Sequence, residues 1–232
     1  MRLVANSPAA LVAAGLLAAA VAVAAPPAGA VSVPKQVVVA QARGRVLVYR
    51  FPGAKKPFAR FGPKNEWGES RVFLVAQRLN GWERVYLPQR PNGITGWVRD
   101  SAVKLAADPW RVIVSLGGHR VTVYRLGRRV LSVKAGVGRS VSRTPRGDYF
   151  LVELAKQPDP SGVYGPYAFG TSAFSNTYYH FGGGPGQIGL HGTDYPQGLG
   201  TNVSHGCIRI PNWAITRLAH ELPLGTPVVI TR

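Results

Sequence analysis

Short apolar runs with strand-like alternation fill residues 36–105 of this 232-residue chain. Turns rich in Pro, Gly and Asn separate the runs, as at Phe51-Pro52-Gly53 and Arg90-Pro91-Asn92-Gly93. Regularly spaced short strands with such turn signals predict a small β-barrel or β-sandwich. The predicted strands lie at 37–40, 45–50, 71–76, 84–87 and 96–98.

A second strand-rich region covers residues 110–232 and follows a short linker at 105–110. Gly117-Gly118 has the composition of a hairpin turn. The strands predicted here lie at 111–116, 120–125, 130–135, 148–154 and 226–231. Residues 156–189 are rich in Gly, Pro, Tyr and Phe without a helical period. This composition predicts a long loop that covers or lines a site.

One segment, 213–222, has a helical period, with apolar residues at Trp213, Ile215, Leu218, Ala219 and Leu222. Asn212 directly precedes it and is a favoured N-cap residue. Pro223-Leu224-Gly225 then ends the helix. The pattern therefore predicts a mainly β chain with two domains and one prominent helix.

Residues 1–30 have the layout of a secretory signal peptide. Arg2 precedes the apolar run 9–25, and Ala28-Gly29-Ala30 fits an A-x-A cleavage site. We therefore expect a secreted, extracytoplasmic protein. The alternative is an uncleaved N-terminal membrane anchor, because the run is only just long enough to span a bilayer.

The charge of the chain points to an anionic partner. Lys and Arg number 28 against 10 Asp and Glu, a formal net charge of +18. No nucleic-acid recognition motif accompanies the basic residues, so we expect no nucleic-acid partner. Anionic polymers of a cell wall suit an exported protein better, and the alternative is that the charge only maintains solubility. Nothing in the sequence indicates the oligomeric state.

Cys207 is the single cysteine, so it has no partner for a disulfide within the chain. If residues 204–210 are extended, His205, Cys207 and Arg209 share one face, opposite Ile208 and Ile210. A neighbouring cation lowers the pKa of a thiol, and the thiolate is the nucleophile. The thiol is therefore predicted to be reactive.

A cysteine nucleophile requires a base, and His191 and His205 are the two candidates. We favour His191, because the Gly192 backbone beside it could accept the second ring proton. Gly206 suits a turn that directs backbone N–H groups toward a developing oxyanion. A zinc site would have only His191, His205 and Cys207 as ligands, and we expect no metal. No phosphate-loop or dinucleotide motif is present, so we expect no cofactor.

The run His191-Gly192-Thr193, followed by Ser204-His205-Gly206-Cys207-Ile208-Arg209, resembles the catalytic motif of the YkuD-like L,D-transpeptidases. The resemblance extends from Val112 to Ile230 and includes Thr144-Pro145-Arg146-Gly147, which is similar to the TPxG element of the family. It implies a catalytic β-sandwich domain at 110–232. It also implies that Cys207 is the nucleophile and His191 the base, and that Ser204, His205 and Arg209 complete the site. By the same resemblance, the backbone amides of Gly206 and Cys207 are the two oxyanion donors.

The stretches 81–88 and 93–98, with Gly96-Trp97-Val98, resemble bacterial SH3-like domains, which implies an SH3-like β-barrel at 36–105. Trp67, Trp82 and Trp97 could line a groove of this domain or fill its core.

These resemblances imply an exported enzyme of cell wall biogenesis that acts on peptidoglycan stem peptides and is a carbapenem target. Cys207 would form a thioester with a tetrapeptide stem and transfer it to an amine of a neighbouring stem as a 3→3 cross-link. The alternatives are an L,D-carboxypeptidase, another cysteine hydrolase of wall peptides and a non-enzymatic wall-binding protein. Possible substrate-binding residues are Tyr178, His180 and Thr193.

Overall fold

β-Branched and aromatic residues recur at alternate positions along much of the chain, and strands form where they do. The computed structural model describes residues 34–232, so the predicted signal peptide at 1–30 lies outside the described residues. Within residues 34–232 we distinguish an N-terminal β unit (37–108) and a C-terminal β unit (110–231), each with its own hydrophobic cluster. The predicted class, mainly β with one prominent helix, is confirmed.

The N-terminal β unit consists of β1 (Val37–Ala42), β2 (Val46–Val48), β3 (Ala59–Phe61), β4 (Val72–Leu79), β5 (Trp82–Tyr86), β6 (Thr95–Arg99) and β7 (Val103–Asp108). Five of these strands form an antiparallel sheet in the order β6-β5-β4-β1-β7, and β2 pairs with β3. Val46, Phe73, Val85 and Val98 are fully buried in its core. Of the tryptophans, Trp82 is buried and Trp67 is 72% exposed.

The predicted linker at 105–110 is wrong, because β7 runs through most of it and pairs with β1 as far as Asp108. Asp108 is buried, and its carboxylate accepts hydrogen bonds from Thr226 Oγ1 at 2.7 Å and from the Trp110 N–H at 2.8 Å. A buried carboxylate needs such donors. Only Pro109 therefore separates β7 from the next strand.

The C-terminal β unit consists of β8 (Trp110–Ser115), β9 (Arg120–Arg125), β10 (Arg128–Lys134), β11 (Val137–Gly138), β12 (Gly147–Lys156), β13 (Tyr167–Phe174), β14 (Gln187–His191), β15 (Asn202–Ser204), β16 (Ile208–Arg209) and β17 (Pro227–Thr231). Eight strands form one sheet in the order β10-β9-β8-β17-β12-β13-β14-β16, and β11 pairs with β15. Two pairs of adjacent strands in the large sheet are parallel, β8 with β17 and β14 with β16.

The predicted loop at 156–189 is partly wrong, because β13 occupies its centre and is almost wholly buried. Its run Tyr-Ala-Phe-Gly-Thr-Ser-Ala-Phe alternates too weakly to be recognised among so many Gly and Tyr residues. Consecutive residues of β13 are buried, so both of its faces are covered, and alternation is not required of such a strand. The true loops on either side are 157–166 and 175–186.

The helix α1 (Asn212–Glu221) packs on the large sheet through Ala214, Ile215 and Leu218. Two predictions about it are wrong. Trp213 is 60% exposed rather than buried, and Pro211 rather than Asn212 occupies the N-cap position. The Asn212 side chain instead binds a loop of the candidate site.

Side chains and backbone groups of the two β units also bind each other directly. Asn65 Nδ2 donates to Val152 O at 3.0 Å, and the Leu154 N–H donates to Glu69 Oε1 at 3.3 Å. Residues 34–232 accordingly belong to one compact unit. None of the helices in that range is long and apolar enough to cross a membrane.

Candidate active site

Two neighbouring parallel strands bring the predicted nucleophile and base to one face of the sheet. Leu190 of β14 pairs with Ile208 of β16, and both side chains are buried in the core. Because side chains alternate along a strand, His191 projects from the opposite face. Cys207 directly precedes β16 and lies on that same face, beside Gly189, whose N–H is 3.4 Å from Cys207 Sγ.

His191 is buried at the end of β14 in the form that a general base requires. The residue is 2% exposed, and its Nδ1 lies 2.7 Å from Gly192 O. A carbonyl oxygen only accepts, so Nδ1 carries the proton and Nε2 keeps its lone pair. Burial lowers the pKa of His191 to about 4, opposed by the bond to Gly192 and assisted by the charge of Arg209. The imidazole is therefore neutral at neutral pH.

The Cys207 thiol is also neutral. Burial raises its pKa, and the Gly189 N–H and the Arg209 charge lower it by less. Arg209 lowers the pKa of Cys207 in the expected direction, but desolvation of the charged form outweighs it, so the net shift is upward. The resting site contains a neutral thiol and a neutral imidazole.

Gly189 leaves open the space that the thiol and the imidazole share. A Cβ at this position would lie 3.4 Å from His191 Cδ2 and 3.8 Å from Cys207 Sγ. A larger side chain would therefore intrude between them. The sequence motif did not single out this glycine, because only the register of β14 against β16 brings it beside Cys207.

Residues 204–207 form a tight turn rather than an extended strand. Ser204 Oγ donates to Cys207 O at 2.6 Å and accepts the Gly206 N–H at 3.0 Å. Gly206 has φ 125°, and a Cβ there would lie 2.9 Å from Ile188 Cδ1. The positive φ favours glycine, and any side chain here would also displace the end of Ile188. Ser204 is buried within the turn, so its hydroxyl supports Cys207 and does not face a substrate.

The turn leaves one of the two predicted oxyanion donors available. The Gly206 N–H is already bound to Ser204 Oγ, whereas the Cys207 N–H has no acceptor in the described part of the chain. Thr144 Oγ1 donates to Gly206 O at 2.7 Å. Because the C=O and N–H of a trans peptide point in opposite directions, Thr144 directs the Cys207 N–H away from itself. This amide is the candidate oxyanion donor.

His205 lies apart from His191 and has a different environment. It is exposed, its Nε2 meets Arg139 Nη2, and its ring packs beside Phe181 at 5.2 Å and Tyr178 at 5.9 Å between centroids. The pKa of His205 is lowered, mainly by the limited burial of its ring and further by the charges of Arg139 and Arg209. The tight turn therefore separates His205 from the face that alternation predicted it would share with Cys207.

Asn212 was missed as a site residue because its sequence position suggested a helix cap. Its Oδ1 accepts the Thr193 N–H at 2.7 Å. That N–H belongs to the same peptide group whose carbonyl, Gly192 O, binds His191 Nδ1. A Cβ on Gly192 would lie 2.3 Å from Asn212 Oδ1, so the contact requires glycine. Asn212 thus fixes the peptide that orients the His191 ring.

The three possible substrate-binding residues have different positions. Tyr178 packs beside His205 as described, and His180 is exposed in the same segment. The proposal for Thr193 is wrong, because Thr193 is buried and its Oγ1 accepts the Tyr195 N–H at 2.9 Å. Tyr164, in the preceding loop, instead packs edge-on against the His191 ring at 4.9 Å.

Arg209 is anchored by its backbone, which pairs with Gly136 through N–H···O bonds of 2.8 and 2.9 Å. Its Nε is buried without a hydrogen-bond partner in residues 34–232. The guanidinium therefore acts on His191 and Cys207 through its charge rather than through a direct bond. Across residues 34–232 no cluster of three or more His, Cys, Asp or Glu side chains is arranged to hold a metal ion.

Comparison with known proteins places this geometry in a described family. Residues 109–230 match the model of the L,D-transpeptidase catalytic domain, YkuD. A Bacillus licheniformis protein provisionally named L,D-transpeptidase YkuD is 37% identical over 123 residues, which cover 53% of this chain and 66% of that protein. Its Bacillus subtilis counterpart is 32% identical over 124 residues, 53% of this chain and 67% of that protein. The match thus spans about two thirds of the length of these relatives.

Among solved structures, an L,D-transpeptidase from Mycobacterium smegmatis resembles the chain with a TM-score of 0.46 at 15% identity, over 81% of this chain and 99% of the other. A further similar structure is that of LdtMt1 in complex with imipenem, with a TM-score of 0.45 at 14% identity, over 69% of this chain and 90% of the other. The family assignment depends on the sequence match at 109–230 and not on these structural likenesses.

Proposed function

The chain belongs to the L,D-transpeptidase catalytic-domain family, and from this premise we propose that it is a peptidoglycan L,D-transpeptidase of the cell wall. The carbonyl donor is the amide between an L-centre and a D-residue of a tetrapeptide stem. The acceptor is an amine of a neighbouring stem, which gives a 3→3 cross-link. The arrangement around His191 is the observation that carries the proposal, because its Nδ1–H is held by Gly192 O while Nε2 is free on the face of Cys207.

In the first half-reaction, Cys207 Sγ attacks the amide carbon as its proton moves to His191 Nε2. Both groups are neutral at rest, so proton transfer must accompany attack rather than precede it. The developing oxyanion is stabilised by the Cys207 N–H. His191 then returns the proton to the leaving amine, the carbon–nitrogen bond breaks, and a thioester remains on Cys207.

In the second half-reaction, the acceptor amine attacks the thioester carbon and loses a proton to His191. The carbon–sulfur bond breaks, and the proton passes to Cys207 Sγ, which restores the thiol. Attack by water in place of the amine releases a tripeptide and makes the protein an L,D-carboxypeptidase. The same residues serve both outcomes, so the acceptor decides between them.

The test is incubation of the mature protein with a disaccharide-tetrapeptide, followed by mass analysis of protein and products. We expect release of the terminal D-amino acid and a product with the mass of a cross-linked dimer. A tripeptide product without dimer would assign the carboxypeptidase alternative. A Cys207→Ala variant that still releases the D-residue would contradict the proposal. If wild type with a free thiol and native circular dichroism releases nothing, a non-enzymatic wall-binding role is favoured.

We also propose that the basic surface holds the protein at anionic wall polymers outside the cytoplasm. No Asp or Glu occurs between Asp108 and Asp148, and exposed basic residues face each other across β9 and β10, Arg120 opposite Lys134 and Arg125 opposite Arg128. Like charges directly opposed across strands are destabilising unless a counter-charge binds them. We expect Arg120→Gln/Arg128→Gln to weaken retention on immobilised poly(glycerol phosphate) at 0.15 M salt. Equal retention of the variant and wild type would contradict this role.

A further inference from the structure

The segment 175–186 connects β13 to β14 and forms one wall of the candidate site. It carries Tyr178 and Phe181, whose rings pack beside His205. Within the segment, Phe181 and Gly184 form a pair of 3.0 Å backbone bonds, and the Ser175 N–H donates to Gly186 O at 2.8 Å. These bonds close the segment on itself, but they do not fix its position over the sheet.

Arg90, in the turn between β5 and β6 of the N-terminal β unit, binds both ends of this segment. Its Nη1 donates to Pro185 O at 2.9 Å. Its Nη2 donates to Ser175 O at 2.9 Å and to Tyr178 O at 3.1 Å. The planar guanidinium can serve several carbonyl acceptors at once, which a lysine ammonium on a flexible stem does with far less geometric control.

Aromatic rings of the C-terminal β unit strengthen this contact. The Arg90 guanidinium carbon lies 4.8 Å from the centroid of the Phe174 ring and 4.6 Å from that of Tyr179. Cation–π contacts at this distance are favourable, more so where the cation is partly desolvated. Arg90 is half-buried in the turn.

Asn92, two residues further along the same turn, binds the start of the segment. Its Nδ2 donates to Phe174 O at 2.7 Å, and its Oδ1 accepts the Phe174 N–H at 2.8 Å. The amide thus imitates a neighbouring strand at the last residue of β13. Its Nδ2 also meets Asn176 Oδ1 at 3.2 Å.

We propose that Arg90 and Asn92 of the N-terminal β unit are positioning residues that hold the 175–186 segment, and with it Tyr178 and Phe181, as a substrate-binding wall beside His205. The two residues form five hydrogen bonds with backbone groups of residues 174–185, whereas contacts that merely join two domains need not converge on one loop. The substrate-binding part rests on the proposed function, and the positioning part does not.

The first test is amide hydrogen exchange of the full chain. We expect exchange in residues 175–186 to become faster by about tenfold in Arg90→Ala and in Asn92→Ala, because local opening loses these contacts. Arg90→Lys keeps the charge and is expected to behave like Arg90→Ala. The matched control is Arg84→Ala, an exposed arginine on β5 whose side chain binds Thr95 instead. Unchanged exchange in 175–186, or acceleration spread evenly over 34–232, would overturn the positioning role.

The second test separates substrate binding from chemistry. In Arg90→Ala we expect KM for a disaccharide-tetrapeptide to rise by about tenfold. The rate of Cys207 acylation by a carbapenem should stay within about twofold, because a small acyl donor needs less of the wall. Equal losses in both reactions, or none in either, would contradict the wall role. If wild type neither turns over peptide nor forms an adduct, the proposed function fails. Hydrogen exchange then still tests whether Arg90 and Asn92 hold the 175–186 segment in place.

Discussion

The end of β14, which carries His191, and the turn that carries His205 contain the same residue type in opposite environments. His191 is buried, bound at Nδ1 by a carbonyl oxygen, and has a pKa of about 4. His205 is exposed between Arg139 and two aromatic rings. Only the first has a fixed tautomer and a free nitrogen on the face of the thiol. The comparison shows that strand register, and not distance along the sequence, decides which histidine can serve Cys207.

Both regions contain a peptide group that is oriented by a side chain distant in sequence. In each, a side chain from a distant element binds one end of a peptide group whose other end faces the chemistry. Asn212 holds the Thr193 N–H so that Gly192 O meets His191, and Thr144 holds Gly206 O so that the Cys207 N–H is free.

The largest effect is expected from exchanging the histidines separately. His191→Gln should slow Cys207 acylation by a carbapenem by about 10³-fold, because general-base catalysis typically contributes 10²–10⁴. His205→Gln should have a far smaller effect, since its ring neither faces the thiol nor holds a fixed proton. Stopped-flow measurement at pH 7 compares the two. If acylation survives His191→Gln but not His205→Gln, the assignment of the base is reversed.

Asn212→Ala is expected to slow acylation by about 10- to 100-fold, the usual cost of losing a residue that orients a functional ligand or base. The His191 ring would lose its orientation without losing its nitrogen, so the effect should fall on the acylation rate rather than on substrate affinity. Thr216→Ala is the control, because Thr216 lies one turn along the same helix and bonds only to Asn212 O. An equal loss in both variants would indicate general damage to the helix.

The depressed pKa of His191 also affects folding stability. The folded pKa of about 4 lies below the ordinary histidine pKa of 6.5, so the unfolded chain binds the proton first as the pH falls. Stability is therefore lost between pH 6.5 and 4, by about 2 kcal/mol at pH 5. Burial raises the pKa of Glu153 to about 7, so this residue increases stability as the pH falls. Its effect is the same in wild type and in His191→Gln, and it therefore cancels when the two proteins are compared. Urea unfolding at pH 7 and pH 5 should show a smaller loss in His191→Gln, and an identical loss would contradict the pKa.

Thr144→Val is expected to have the smallest effect, a loss of about fivefold in acylation, because one hydrogen bond to the Cys207 peptide contributes about 1 kcal/mol. The substitution keeps the shape of the side chain and removes the hydroxyl, which also accepts the Gly138 N–H at 2.9 Å. Thr122→Val on β9 is the control. Within residues 34–232 the Thr122 hydroxyl bonds to the Ser132 hydroxyl, and it makes no bond to the turn at 204–207. Acylation at the wild-type rate in Thr144→Val would show that the amide needs no such support.

The proximity of Cys207 and His191 could be predicted from sequence because both residues lie within one short motif, and the strands on either side alternate clearly. β13 could not, since a strand buried on both faces has no alternation, and β7 was mistaken for a linker because its pairing partner is β1, more than 60 residues away. The net direction of the Cys207 pKa shift could not be predicted from the sequence either. A neighbouring cation is visible in sequence, but the burial that outweighs it depends on packing around the turn.

The contributions of Asn212, Thr144, Arg90 and Asn92 were missed for a related reason. Each acts through a backbone group far away in sequence, and Asn212 and Asn92 have local explanations, as a cap and as a turn residue, that are sufficient on their own. Only the three-dimensional arrangement shows where the side-chain oxygens and nitrogens are directed.

The central claim is that a neutral His191 takes the proton from a neutral Cys207 as the thiol attacks. The most direct measurement is the rate of thioester formation with a carbapenem between pH 5 and 8. Because the pKa of His191 is about 4 and that of Cys207 is raised, we expect a rate that varies little across this interval. A rate that falls through pH 6.5, or one that rises tenfold per pH unit through neutrality, would contradict it. The first would indicate a solvated histidine as the base, and the second a thiolate acting without a base.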